Sequence, residues 1–279
     1  MSTPPLLVQL LDDAAVFPPG SASLPEALDS HRDYRTTWYS DLVGPLLVPA
    51  SQVKTLSSML RPEESIACGV IADGIALGDL FRPLTPRGIV VQQVEAPVAR
   101  RGEDPQPTLR RFIELLQRYA LTGFAEVPLA WGLLAALDTI AQARAAGVQI
   151  AAKFRTGGLA AELFPTPVEL AAVIVACADR GLPFKLTAGL HHAIRHTDPE
   201  TGFTHHGFLN VLAATCLASS GAEVADVASI LASTQPLTLL EALRPYRSQP
   251  RPLWLGFGTC SVLEPVADLQ QLGLIGPNS

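Results

Sequence analysis

Two stretches of the chain set a lysine into an apolar run that soon reaches glycine: Ile150-Ala-Ala-Lys-Phe-Arg-Thr-Gly-Gly158 and Pro183-Phe-Lys-Leu-Thr-Ala-Gly-Leu-His-His192. Runs of this kind mark strands of a parallel sheet, covered on both faces, where an ammonium must be paired or neutralised. By the strand period of two, Lys153 shares a face with Arg155, and Lys185 with Thr187. If the two strands are neighbours in register, the amines stand roughly 5–10 Å apart. At an effective dielectric of about 20, two ammonium groups ~5 Å apart repel by about 3 kcal/mol. That repulsion favours the neutral form of one amine, which attacks carbonyl carbon to form an imine.

The elements that must position these lysines alternate along the chain. Strands are predicted over 6–11, 42–49, 66–72, 88–95, 122–127, 150–155, 183–188 and 253–258. Helices are predicted over 24–37 behind a Ser23 cap, 51–60 behind Ser51, 75–81, 108–119, 130–146 and 167–180, with a last segment over 262–272 behind Ser261. Between the seventh and eighth strands lie a His-rich loop, 190–206, and three helical patterns over 207–219, 224–233 and 237–243. Strand–helix alternation argues a parallel sheet, and eight units in 279 residues argue a closed (β/α)8 TIM barrel in one domain with an extended helical insertion before its last strand. The alternative is an open sheet with a C-terminal helical appendix.

A barrel of this type places its site at the C-terminal ends of the strands. The residues there are Asp12, Asp13, Ser51, Asp73, Glu95, Glu126, Lys153, Arg155, Thr156, Lys185, Thr187, His191, His192 and the run Gly256-Phe-Gly-Thr-Cys260, with His205, His206 and Asn210 nearby. Each has a plainer reading. The aspartates suit caps, and Glu95 and Glu126 suit a structural ion network around the lysines and Arg155. Gly157, Gly158, Gly256 and Gly258 suit either an anion held by free backbone N–H groups or a tight turn. The histidines suit a solvated loop, a lid over the mouth with His191 or His192 turned inward, or a metal site, although no metal-binding spacing such as H-E-x-x-H is present.

Composition narrows the partners. The chain is 48% hydrophobic and 16% charged, with a formal net charge of −6 and no basic run beyond paired arginines. Nucleic acid is therefore not an expected partner. Cys68, Cys177, Cys216 and Cys260 lack C-x-x-C spacing and read as reduced thiols, Cys260 alone in a loop that matters. No basic n-region opens the chain and no uninterrupted apolar stretch has spanning length, so a cytoplasmic protein with no membrane partner is the expectation.

Three strand ends carry a resemblance. Lys153-Phe-Arg-Thr-Gly-Gly158 resembles the lysine strand of deoxyribose-phosphate aldolases, Phe184-Lys-Leu-Thr-Ala-Gly189 resembles their next strand, and Phe257-Gly-Thr-Cys-Ser-Val-Leu263 looks like their final glycine turn. The match covers about the last third of the chain, and the whole chain also looks like a set of uncharacterised bacterial proteins. The resemblance implies a class I aldolase in which Lys153 forms the imine, Lys185 perturbs it and the glycine turns face a substrate anion. Arg155 departs from it by replacing a small residue, Glu126 by standing where the family has a lysine, and the 190–243 insertion by its length.

The expectation is a lyase of the Schiff-base type acting on a small, anionic carbonyl compound without an organic cofactor. Lys153, Lys185, Glu95, Glu126 and Asp12 would do the chemistry. Arg155, Thr156, Gly157, Gly158, Thr187, His191, His192, Gly256, Gly258 and Thr259 would hold the substrate. The alternatives are a metal-assisted isomerase, hydratase or hydrolase, and a barrel that binds a ligand without chemistry.

Overall fold

Eight parallel strands, most of them apolar runs, close on themselves in the computed structural model, which describes residues 3–72 and 86–277. The strands are β1 (Leu11–Asp13), β2 (Val43–Pro49), β3 (Ile66–Ile71), β4 (Ile89–Pro97), β5 (Gly123–Glu126), β6 (Ile150–Arg155), β7 (Phe184–Thr187) and, after the short hairpin β8 (His196–Thr197) and β9 (Thr204–His205), β10 (Trp254–Thr259). Each of β1 to β6 pairs with the next, and β10 closes the ring between β7 and β1. The open-sheet alternative is thereby excluded. Asp73 and the helix expected over 75–81 lie outside the described residues.

Helices cover the barrel: α1 (Leu24–Tyr34), α2 (Val53–Met59), α3 (Gln106–Tyr119), α4 (Leu133–Ala145), α5 (Pro167–Asp179), α6 (Phe208–Ser219), α7 (Val224–Ala232), α8 (Pro236–Leu243) and α9 (Leu263–Gln271). Ser23 caps α1 as its sequence predicts, through a reciprocal capping box with Glu26. Thr166 does the same for α5 with Glu169. Ser51 instead falls within a 3-10 turn, Ala50–Gln52, that precedes α2.

The insertion is explained by α6. Ten of its twelve residues are buried, so one face rests on the barrel, where Phe208 stacks on Phe257 at 5.7 Å, and the other must be covered. Helices α5, α7 and α8 pack around it. One segment, Ala161–Asp179, has the length and composition of a membrane span, but the Thr166 cap divides it into a 3-10 turn and α5.

The start of the chain differs from its prediction. Leu6 and Leu7 form a buried 3-10 turn, the backbone swings through positive φ at Gln9, and β1 begins only at Leu11. The guanidinium of Arg251 holds this arrangement, donating to the carbonyls of Leu6, Val8, Gln9, Trp254 and Leu255. Both aspartates consequently belong to β1 and, being successive, face opposite ways. Asp13 leaves the barrel to meet His31 of α1, Oδ2 to Nδ1 at 3.0 Å, and also accepts from the Ala15 N–H.

Candidate active site at the barrel mouth

Register delivers the two lysines as neighbours. Lys153 pairs with Lys185 across β6 and β7, and Glu126 pairs with Lys153 across β5 and β6. The four residues Asp12, Glu95, Lys153 and Lys185 are all buried. Lys153 Nζ lies 2.7 Å from Glu95 Oε2 and 2.8 Å from Glu126 Oε2, while Lys185 Nζ contacts Asp12 Oδ2 and Glu95 Oε1. Glu95 therefore divides its two oxygens between the two amines. Its Oε2 meets Lys153 as a close ion contact without hydrogen-bond alignment.

Further out, the Arg155 Nε reaches Glu126 Oε1 at 3.3 Å. Three carboxylates thus face three cations in one connected array. Exposure rises along it: the side chain is 5% exposed at Lys153, 19% at Glu126 and 44% at Arg155. The array opens to solvent at the arginine, beside a cleft of about 230 Å³ whose lining includes Arg101, Glu126, Arg155 and Leu163.

Electrostatics reverses the expectation for Lys153. Burial alone would lower its pKa, but Glu126 and Glu95 outweigh burial and hold it above the usual lysine range. The resting side chain is an ammonium, because the carboxylates stand closer to its charge than the repulsion argument assumed. Burial likewise opposes ionisation of Glu95, yet Lys153 and Lys185 bring its pKa down to about 2. Burial raises and the Lys153 charge lowers Glu126, with a net downward shift. Asp12 moves up instead, since burial there exceeds the pull of Lys185 and Glu95 adds repulsion.

Three contributors were not among the residues singled out from sequence. Gln93 donates its Nε2 to Asp12 Oδ2 at 2.7 Å and to Glu95 Oε1 at 2.9 Å. Its signal was the spacing of two that puts Gln93 on the same strand face as Glu95. Phe124 turns its ring toward Lys185, with Nζ 5.1 Å from the centroid. Gly44 leaves room for Asp12, because a Cβ there would lie 2.2 Å from Oδ1. Composition carries a fourth signal: the sequence has three lysines, Lys54, Lys153 and Lys185, and two of them share this site.

The other candidates sit around this centre in different roles. Thr156 donates to the Ala188 carbonyl at 2.7 Å and Thr259 to that of Ser261 at 2.9 Å, so both hydroxyls shape turns. Thr187 pairs with Arg155 and with Gly258 on the same rim. Gly157 approaches Gly189, where a Cβ would come within 2.7 Å of its Cα, and Gly158 packs against Leu163. At Gly256, φ is 132° and a Cβ would meet the Leu10 carbonyl at 2.6 Å. Close backbone approach accounts for Gly157 and Gly256 and the Leu163 side chain for Gly158, whereas Gly258 faces the interior beside Thr187.

The loop histidines are drawn away from the lysines. His191 Nδ1 lies 2.9 Å from Glu264 Oε2 and His192 Nδ1 lies 3.3 Å from Asp268 Oδ2, both on α9. His205 Nδ1 contacts the Gly189 carbonyl, and Phe203 of the hairpin loop rests on Phe164 at 4.7 Å, which brings the hairpin onto the β6 and β7 turns. His206 meets the Pro165 carbonyl and Arg195, and burial pushes its pKa down to about 4. Asn210 bonds backbone groups of Arg195, Ile230 and Ser233. Among the described residues, no group of three His, Cys, Asp or Glu side chains is arranged to hold a metal ion.

The closed barrel and its buried lysine pair therefore stand on the chain's own geometry, since no family model and no curated protein matches the sequence.

Proposed function

We propose that this mouth is the active site of a Schiff-base lyase of the class I aldolase type acting on a small, anionic carbonyl compound. The observation that carries the proposal is the in-register pair Lys153 and Lys185, buried together with Glu95 between their amines. Two buried amines cost a barrel core much, and carboxylates that touch both supply a route for protons.

In this reading the substrate's anionic end docks on Arg155, the most open cation of the array, whose planar guanidinium suits a carboxylate or phosphate. The Lys153 proton passes to Glu126, the partner that arginine also holds. The freed amine attacks the carbonyl carbon: a C–N bond forms, the carbonyl oxygen is protonated from Lys185, and water departs to leave the iminium. The iminium then receives the electron pair of the breaking C–C bond. Asp12, the carboxylate with the raised pKa, takes the hydroxyl proton of the departing aldehyde and returns it to the carbon of the enamine left behind. Water then hydrolyses the iminium so formed to release the second product and the Lys153 amine.

A second reading draws support from the closure of the array. Three carboxylates matched to three cations satisfy one another without a substrate, as a ligand-binding barrel without chemistry would require. Incubation with small aldehydes or ketones and borohydride separates the two. The lyase reading expects a reduced adduct on the native chain and none on Lys153→Met. The binding reading expects no adduct on either and a destabilised Lys153→Met chain.

A further inference from the structure

A second cluster of reactive side chains lies on the same rim, outside the lysine array. Cys260 follows β10, His191 lies on the connection after β7, and Glu264 occupies the first turn of α9. The Cys260 Sγ is 3.9 Å from both ring nitrogens of His191, and His191 Nδ1 is 2.9 Å from Glu264 Oε2. Sulfur, imidazole and carboxylate thus stand in sequence, the order in which a base accepts a thiol proton while a third group orients the base.

The other cysteines provide the contrast. Cys68, Cys177 and Cys216 are buried, and burial pushes each thiol up to about 12. Cys260 is partly exposed and has both an imidazole beside it and the N-terminal end of α9 close by in sequence, the surroundings that mark reactive rather than structural cysteines. The Cys260 sulfur, against the opposing effect of burial and with help from Glu264, raises His191 to about 9. The ring beside the sulfur therefore takes up a proton readily. Gly20 keeps the adjoining loop close without crowding, since a Cβ there would come within 2.9 Å of the Cys260 Cβ.

We propose that Cys260 is a nucleophilic thiol, served by His191 as proton acceptor and by Glu264 as the group that orients His191, and that it forms a covalent modification site for small soft electrophiles. With a haloacetamide, a sulfur lone pair forms the S–C bond and the C–I bond breaks. Iodide leaves with its electron pair, and the thiol proton passes to His191 and from there to solvent. None of this requires the lysine chemistry.

The test is limiting iodoacetamide at pH 7 on the native chain with no carbonyl compound present, read by peptide mass against glutathione in the same tube. A thiol with a base positioned to take its proton should react about tenfold faster than an ordinary one. We expect that advantage at Cys260, none at the three buried cysteines, and its loss in His191→Gln. Glu264→Gln, which disturbs the packing less, should lose two- to threefold through the orientation of the ring, roughly the effect of one hydrogen bond. Reaction of Cys260 at the glutathione rate in the native chain, or an unchanged rate in a folded His191→Gln chain, overturns the proposal. Because no imine is involved, failure of the lyase reading leaves the result unaffected.

Discussion

The two ends of the barrel hold cations by different means. At the N-terminal end, the half-buried Arg251 spreads its guanidinium over five backbone carbonyls and pairs with no carboxylate among the described residues. Burial pushes its pKa down to about 10. At the C-terminal end, Lys153 and Lys185 meet Asp12, Glu95 and Glu126, and Lys153 moves in the opposite direction. Carbonyl dipoles satisfy hydrogen bonds but cannot take a proton, whereas carboxylates can. One end is built to stay shut, and the other can redistribute protons among groups that already touch.

The contrast is broken most forcefully by removing the acid that both lysines share. Glu95→Ala leaves Lys153 with Glu126 alone and Lys185 with Asp12 alone, and should cost about 3–5 kcal/mol, the usual penalty for breaking a buried ionic network. Arg251→Met should cost about 2–3 kcal/mol, because it strands carbonyls rather than charges. Urea midpoints of the two variants check the order. An Arg251→Met chain less stable than Glu95→Ala would mean that the mouth array contributes less than its charges suggest.

Acid should act on the mouth and spare the other end. Glu95 has a folded pKa of about 2 against an ordinary 4.5, and Glu126 is also lowered. Their stabilisation is complete above the ordinary carboxylate range and is lost as the pH falls toward 2, for Glu95 on the order of 3 kcal/mol. Asp12 is raised and works in the opposite sense, binding its proton more readily in the folded chain. Lys153, also raised, contributes fully below the ordinary lysine range and loses that contribution as the pH rises from there toward its folded value. Urea midpoints between pH 6 and pH 2 should fall for the native chain and fall less for Glu95→Gln, with Arg251→Met tracking the native slope.

A smaller change sharpens the same comparison. Glu126→Gln removes one of the two acids that hold Lys153 charged and should increase its neutral fraction by about tenfold, the effect of a change of one in pKa. Borohydride trapping at neutral pH would then speed up, with buffer taking the proton. An unchanged rate would place the deciding carboxylate elsewhere, at Glu95, and a slower one would mean that losing Glu126 as proton acceptor outweighs the gain in neutral amine.

Much of this was legible in the residues. The alternation of apolar runs with capped helices contained the barrel, and the lysines announced themselves by interrupting strands that need to be dry. Glu95 and Glu126 were visible as strand-end acids. The charge of Lys153 was not, because its sign depends on whether the amine on one neighbouring strand or the carboxylates of Glu126 on the other and Glu95 beyond it come closer, and sequence spacing does not measure those distances. Neither was the start of β1, since Leu6 and Leu7 are as apolar as a strand, and the turn at Gln9 is held by an arginine more than 240 positions later. Gly157 and Gly158 read equally well as an anion cradle, until their neighbours, Gly189 and Leu163, show what a side chain would strike.

The central claim is that a lysine of the buried pair reacts with carbonyl carbon. With only Lys54, Lys153 and Lys185 in the sequence, peptide mapping after borohydride trapping with a small aldehyde assigns the adduct among three side chains and the chain terminus. The account predicts an adduct on Lys153 in the native chain, faster in Glu126→Gln and absent in Lys153→Met. An adduct confined to Lys54 or the terminus, with Lys153 and Lys185 unmodified as the pH is raised, would contradict it.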